Sequence, residues 1–156
     1  MKLLFICTHN RCRSILAEAI TNHLSGGRIL AASAGSSPQD EVHPLSLKYL
    51  HERNISTDGL CSQSWDDFES FSPDAILTLC DNAAQESCPV WFDHSVQVHW
   101  GLSDPSIADD SEQRRSFDHT IDIIGRRVER LLEVYTPSVS DIALRAQLTQ
   151  IAAQVN

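Results

Sequence analysis

The chain has 156 residues, about one domain on the usual scale of roughly 100 to 200 residues each. With 42% hydrophobic and 21% charged residues, 6 Gly and 6 Pro, it can bury one ordinary core and is neither disordered nor fibrous. Twelve Lys and Arg against 21 Asp and Glu leave a formal charge of -9, which argues against broad nucleic-acid binding and attachment to anionic membranes. Any anionic ligand must be captured locally. No apolar run approaches the roughly 18 residues of a membrane span, and Met1 to Ile6 is too short for a signal-peptide core, so a cytoplasmic location is expected. Five cysteines (Cys7, Cys12, Cys61, Cys80 and Cys88) are an odd count in a chain long enough to fold without staples. Catalytic, redox-active or simply buried thiols are expected rather than a disulfide framework.

In chain order, Leu3 to Cys7 is a continuous apolar run that suits a strand covered on both faces, and it runs straight into a polar loop. Leu16, Ile20 and Leu24 then recur at helical spacing and Gly26-Gly27 closes the segment, predicting a helix from Ser14 to Leu24. Arg28 to Ser33 reads as a second strand, and Pro44 to Arg53 as a second helix with Pro at its first position. Ala75 to Cys80 is another apolar strand, and Ser95 to Trp100 alternates well enough to be the last. A long helix follows, with Phe117, Ile121, Ile124, Val128, Leu131 and Tyr135 on one face, started by Asp110 or Ser111 and stopped before Pro137. The stripe Leu144, Leu148, Ile151 and Val155 predicts a terminal helix. We therefore divide the chain into a domain over residues 1–136 and a C-terminal helical extension, 137–156, packed on it. Alternating strands and helices imply an α/β fold of three αβα layers around a four-stranded parallel sheet, with its ligand site at the carboxyl ends of the strands.

The chemistry concentrates in Cys7 to Ser14. Cys7 and Arg13 flank five residues between a strand end and a helix start, a span that can curl so that successive amides point inward. Those amides, the helix dipole and the Arg13 guanidinium together favour a thiolate at Cys7 and a tetrahedral oxyanion bound against it. Thr8, His9, Asn10, Arg11, Cys12, Arg13 and Ser14 are the candidate binding residues. Asp104, in Ser103-Asp104-Pro105, can protonate a leaving oxygen, and Cys80 brings a second thiol from another strand end.

The segment Cys7-Thr8-His9-Asn10-Arg11-Cys12-Arg13-Ser14, with Ser33-Ala34-Gly35 and Asp104-Pro105, resembles the low-molecular-weight tyrosine phosphatase superfamily. Within it, Thr78-Leu79-Cys80-Asp81, Cys88-Pro89 and His99-Trp100-Gly101-Leu102-Ser103-Asp104-Pro105 resemble the thioredoxin-coupled arsenate reductases. The resemblance implies a catalytic set of Cys7, Arg13, Asp104, Cys80 and Cys88. Cys7 would attack arsenate while Asp104 protonates the departing oxygen. Cys80 would then displace arsenite from Cys7, and Cys88 would attack Cys80, leaving a Cys80–Cys88 disulfide for thioredoxin. Other relatives use glutathione with glutaredoxin, a route this sequence leaves open. No bound cofactor is implied; arsenate and the thiol reductant are the expected partners.

Two loop positions depart from the pattern: His9 stands where relatives commonly carry Gly, and Arg11 where they carry a small residue. Some relatives bind potassium through residues matched here by Asn10, Glu18 and Ser33, but the remaining ligand is replaced near Gln63, and that ion is not expected. A zinc site from Cys80, Cys88, His94 and His99 matches no usual ligand spacing. Cys12 reads either as a disulfide partner for Cys7 or as an inert residue behind the loop, and Cys61 as a core or surface thiol. Two further functions compete with arsenate reduction. One is hydrolysis of phosphate monoesters, although no aromatic residue follows Asp104-Pro105 to wall a phenyl ring. The other is a non-catalytic oxyanion-binding or redox-regulatory role.

Overall fold

The computed structural model describes all residues from Met1 to Asn156. Four strands, β1 (Lys2–Ile6), β2 (Leu30–Ala34), β3 (Ala75–Thr78) and β4 (Val96–His99), form one parallel sheet in the order β2-β1-β3-β4. The helices are α1 (Arg13–Ser25), α2 (Pro44–Glu52), α3 (Asp81–Gln85), α4 (Gln113–Val134) and α5 (Asp141–Gln154). Short 3-10 turns occupy Trp65–Phe71, Val90–His94 and Pro105–Ile107. This is the expected three-layer fold.

Alternation along the strands sorts the core. Leu3, Phe5, Ala31, Ala75, Leu77 and Val96 face one side, where they pack with Leu16 and Ile20 of α1, Leu50 of α2, Phe117, Ile121 and Ile124 of α4 and Leu148 of α5. Leu4, Ile6, Ala34 and Ile76 face the other, against Trp65, Phe92 and Ala83. All four long helices thus lie over the larger cluster, and the second outer layer is thin: one turn of α3 and two 3-10 turns. Each fully buried Leu, Ile or Phe contributes about 1.5 to 3 kcal/mol, so the anchorage of the two layers is unequal.

Register positions the site. Ile6 pairs with both Ala34 and Thr78, and Thr78 pairs with His99, so all four strands end on one row. Strand order reverses between β1, whose chain leaves toward β2, and β3, which lies on its other side. Cys7 and Cys80 follow the two strands that flank this switch point. Gly35, just past β2, permits the close approach of the loop after β1: a Cβ there would lie 2.5 Å from the Thr8 carbonyl oxygen and 2.9 Å from that of Cys7.

Several boundaries differ from those expected. Strand β2 begins at Leu30 rather than Arg28, because Arg28 N–H closes a turn on the Ser25 carbonyl. Helix α4 begins at Gln113: Asp110 and Ser111 lie in a turn closed by Glu112 N–H on the Asp109 carbonyl. Helix α5 buries Leu144, Leu148 and Ile151 and accepts the fully buried Trp100 indole N–H on the Leu148 carbonyl at 2.9 Å. Arg145 Nη1 donates to the Gln97 carbonyl of β4 at 2.7 Å, covering the edge of the sheet.

Candidate active site

The loop from Cys7 to Cys12 is fixed from outside by its carbonyls. Thr8 O accepts from Ser37 N–H, His9 O from Gln39 N–H and the Ser62 hydroxyl, Arg11 O from His43 N–H, and Cys12 O from Leu16 N–H of α1. The amides of Thr8 to Cys12 donate to no group of the protein. With the carbonyls turned out and the amides free, the loop is a nest for a tetrahedral anion, ending at the first turn of α1. Asn10 makes the curl possible. Its φ of 49° is left-handed, and Asn tolerates that region better than other residues with a Cβ.

The Asn10 side chain is fully buried and ties the loop to its surroundings. Its Nδ2 donates to Ser14 Oγ and to Ser33 Oγ, both at 2.9 Å, and its Oδ1 accepts from Gln63 N–H at 2.8 Å. Ser14 Oγ lies 2.8 Å from Cys7 Sγ. Either group can donate in that contact while Cys7 is a thiol; once Cys7 is a thiolate, only the Ser14 hydroxyl can donate, and it does so to the sulfur.

A cavity of about 190 Å³ opens on this loop, lined by Cys7, Thr8, His9, Arg11, Cys12, Arg13, His43, Cys80, Asn82, Asp104 and Ser106. Of the expected binding residues, Asn10 and Ser14 lie behind the cavity rather than in its wall. Arg13 Nη2 donates to Asp104 Oδ2 at 3.0 Å and Nη1 to the Leu102 carbonyl at 2.9 Å. Asp104 Oδ1 accepts from Ser106 N–H at 2.9 Å and from its hydroxyl at 2.6 Å. Burial works to raise the Asp104 carboxyl, but the two Ser106 bonds and Arg13 outweigh it and hold the group below the ordinary carboxylate value. His9 is exposed and Arg11 reaches outward to the Glu41 carbonyl at 2.9 Å, so neither bulky residue fills the nest.

The five thiols are all free and fall into different places. Cys80 is buried beside the nest, 3.5 Å from the Thr8 hydroxyl, and caps α3 by accepting Ala83 N–H at 3.4 Å. Cys88 is half-buried and lines a separate hollow with Thr78, Ala84 and His99, its Sγ 3.6 Å from the Glu86 carbonyl. Burial, with Glu86 and Asp93, pushes the Cys88 thiol up. Burial pushes Cys12 up to about 11, so it stays a neutral thiol at physiological pH. Cys61 is exposed.

The structure scatters the zinc set: Cys80 lines the nest, Cys88 and His99 the second hollow, and His94 a third. Asn10, Glu18, Ser33 and Gln63 do come together, closed by their own hydrogen bonds. Ser33 Oγ donates to Glu18 Oε2 at 2.6 Å, and Gln63 Nε2 donates to the Ser33 carbonyl at 3.2 Å. Burial raises the Glu18 carboxyl toward its neutral form. An amide donor and a carboxyl tending to neutrality do not fit a cation cage.

Sequence reading missed Ser106, His43 and Asn82 in the cavity wall and Glu86 against Thr8. Only Ser106 left a signal, two residues past an Asp before Pro, the spacing of an Asx turn.

A thiol-bearing amide nest at the switch point of a parallel sheet, beside an Arg–Asp pair, defines a protein of the phosphatase-like class. The chain belongs to the low molecular weight phosphotyrosine protein phosphatase family, whose profile matches residues 2–142. An arsenate reductase of Bacillus cereus is 36% identical over 126 residues, covering 81% of this chain and 90% of its own. A solved arsenate reductase in the phosphate binding state superposes with a TM-score of 0.73 at 26% identity, covering 86% of this chain and 98% of that one. The thioredoxin-dependent arsenate reductase of Corynebacterium glutamicum superposes with a TM-score of 0.67 at 28% identity, covering 85% of this chain and 60% of that one.

Proposed function

We propose that the protein is an arsenate reductase. The observation that carries this reading is the second thiol: Cys80 shares a cavity with Cys7, which a simple hydrolase does not need. The arsenate reductases among its relatives support the same reading.

Arsenate enters the nest as an anion, held by the free amides and by Arg13. Arg13 turns from Asp104 to the substrate. Loss of that partner, together with the new negative charge, raises the Asp104 carboxyl and lets it carry the proton that the leaving oxygen needs. The Cys7 thiolate, hydrogen-bonded by Ser14, attacks arsenic; an As–O bond breaks, the oxygen departs as water, and a Cys7 thiol-arsenate adduct remains. Cys80 thiolate then attacks Cys7 Sγ. The S–As bond breaks with its electron pair passing to arsenic, which leaves as arsenite, and a Cys7–Cys80 disulfide forms. Cys88 thiolate attacks Cys80, Cys7 leaves as a thiolate, and the resulting Cys80–Cys88 disulfide is reduced by an external dithiol. Cys88 therefore has to leave its own hollow. The five-residue α3, with Ala83 its one buried residue, is the part that yields.

Thioredoxin is the proposed reductant, supported by the thioredoxin-dependent relative, with glutathione and glutaredoxin as the other route. The reading requires no bound cofactor. A cytoplasmic setting suits it, because that compartment keeps thiols reduced. We further read 1–136 as the phosphatase-like unit and 137–156 as an extension of the same domain, which holds β4 through Trp100 and Gln97. The second reading, a phosphate-monoester hydrolase, rests on the family's own activity and needs only Cys7, Arg13 and Asp104.

The deciding experiment is arsenate-dependent NADPH oxidation by the pre-reduced protein, run with a thioredoxin system and in parallel with glutathione and glutaredoxin. Turnover with thioredoxin supports the full relay. Turnover with glutathione alone keeps arsenate and reassigns Cys80 or Cys88, and silence in both advances the hydrolase.

A further inference from the structure

The Thr8 hydroxyl has one hydrogen and two neighbours that want it. Its Oγ1 lies 3.5 Å from Cys80 Sγ and donates to Glu86 Oε1 at 3.4 Å. While that hydrogen is on the Glu86 carboxylate it cannot stabilise a thiolate at Cys80, which is left as the donor to Thr8. The other carboxylate oxygen, Glu86 Oε2, is buried without a hydrogen-bond partner. The Cys88 thiol sits 3.6 Å from the Glu86 carbonyl and lines a hollow other than the cavity that holds Cys80. One residue at the end of α3 therefore withholds an activating hydrogen from the second thiol of the relay and anchors the third.

The contact is also poorly satisfied: the Glu86 carboxylate has one long hydrogen bond and one oxygen with no partner. Thr8 is moreover the first residue of the amide nest, so an oxyanion bound there places its charge near this carboxylate and repels it.

We propose that Glu86 is an oxyanion-released catch on the thiol relay, holding Thr8 and Cys88 in the resting protein and letting both go when an anion occupies the nest. Glu86 is a positioning residue: it touches no substrate atom and acts through the Thr8 hydroxyl on its side chain and the Cys88 thiol on its backbone carbonyl. Release frees the Thr8 hydrogen for Cys80 and lets the segment from Asp81 to Cys88 leave its hollow. The relay is thereby armed with substrate bound, and in the empty enzyme Cys80 and Cys88 are kept in their separate places. The inference deepens the arsenate reductase reading and rests on it for the meaning of the relay.

The test uses inorganic phosphate, a tetrahedral oxyanion that the thiols cannot reduce, and follows alkylation of each cysteine by iodoacetamide, resolved by peptide mass spectrometry. In the wild-type protein, saturating phosphate is expected to speed alkylation of Cys88 about three- to tenfold. Glu86→Gln keeps an oxygen acceptor for Thr8 but removes the charge: Cys88 alkylation should become insensitive to phosphate, and phosphate should bind about tenfold tighter, on the order expected for removing one charge near a dianion. Glu86→Ala removes the catch and should give fast Cys88 alkylation without phosphate. Phosphate-independent alkylation in the wild type, or a phosphate response that survives in Glu86→Gln, overturns the proposal. Because nothing is reduced in this assay, a protein that fails to reduce arsenate yet shows the phosphate response sinks the reductase reading and leaves the catch standing.

Discussion

Two segments of this protein occupy equivalent positions and are built in opposite ways. The Cys7 loop follows β1 and the Cys80 segment follows β3; both begin a few ångströms from one row of strand ends, and both lead into a helix. The first enters α1, thirteen residues long with eight of them buried. The second enters α3, five residues with Ala83 alone buried. The carbonyls of the Cys7 loop are bonded outward, whereas the Cys80 segment is held by one exposed Asp81–His99 contact at 3.1 Å and by longer contacts of Cys80, Glu86 and Cys88. An anion nest acts through preorganised dipoles, which must not reorganise when charge arrives. The thiol relay proposed above would have to bring Cys88 to Cys80 from a separate hollow, and such mobile elements come from the low-stability end of a structure. The unequal outer layers of the sheet would suit one of each.

Substitutions at the cysteines test that division most severely. Cys7→Ser should abolish arsenate reduction and any phosphate-ester hydrolysis together, a loss of at least about 1,000-fold, while phosphate still binds the nest. Cys88→Ser should act on one half only. It should form one arsenite per protein and stop at a Cys7–Cys80 disulfide, seen as a loss of two thiols by mass spectrometry, with multiple turnover down by more than about 100-fold and ester hydrolysis intact. Normal turnover in Cys80→Ser or Cys88→Ser would show that the β3 segment is a bystander.

The loop side of the comparison is tested at Asn10. Asn10→Ala leaves a left-handed φ on a residue that disfavours it and strips donors or acceptors from Ser14, Ser33 and Gln63. Chemical denaturation should show a loss of about 2 to 4 kcal/mol, with activity down about tenfold or more. Asn10→Gly relieves the backbone but not the network, so it should recover about 1 kcal/mol of the loss. Full recovery would mean that the hydrogen bonds around Asn10 are dispensable.

The two halves were unequally legible in the sequence for the same physical reasons. A continuous apolar run, a polar gap and a helical stripe mark the strand, loop and helix around Cys7, because each burial pattern there is long enough to repeat. Helix α3 offers one turn and one buried residue, so no period can be read from it. The 3-10 turns at Trp65–Phe71 and Val90–His94 are equally short. Partners distant in sequence left no trace in its periodicity: Thr8 and Glu86 are 78 positions apart, and Asn10 and Gln63, 53 apart, were brought together only by the family resemblance. The roles of Cys80 and Cys88 came from resemblance, whereas the nest around Cys7 also followed from physical reasoning.

The smallest effect concerns two carboxyls beside the nest with opposite shifts. Asp104 lies below its ordinary value through Ser106 and Arg13, and Glu18 above its own through burial. The Asp104 contribution to stability is therefore present above the unfolded value of roughly 4 and is lost as pH falls through the depressed folded value. Asp104→Asn should cost about 1 kcal/mol at pH 7, and that difference should shrink toward zero as the pH drops below roughly 4. Glu18 runs the other way: its folded form favours the proton, so its contribution is present at low pH and is lost as pH rises through the raised folded value. Glu18→Gln keeps an acceptor for the Ser33 hydroxyl without a charge to bury, so it should be neutral or stabilising at pH 7 and lose that advantage near pH 4. Urea unfolding of both variants from pH 3 to 8 reads the two slopes directly. Slopes of the same sign would mean that Arg13 and Ser106 do not hold Asp104 ionised in the resting site, and the proton transfer proposed for it would need no rearrangement of that pair.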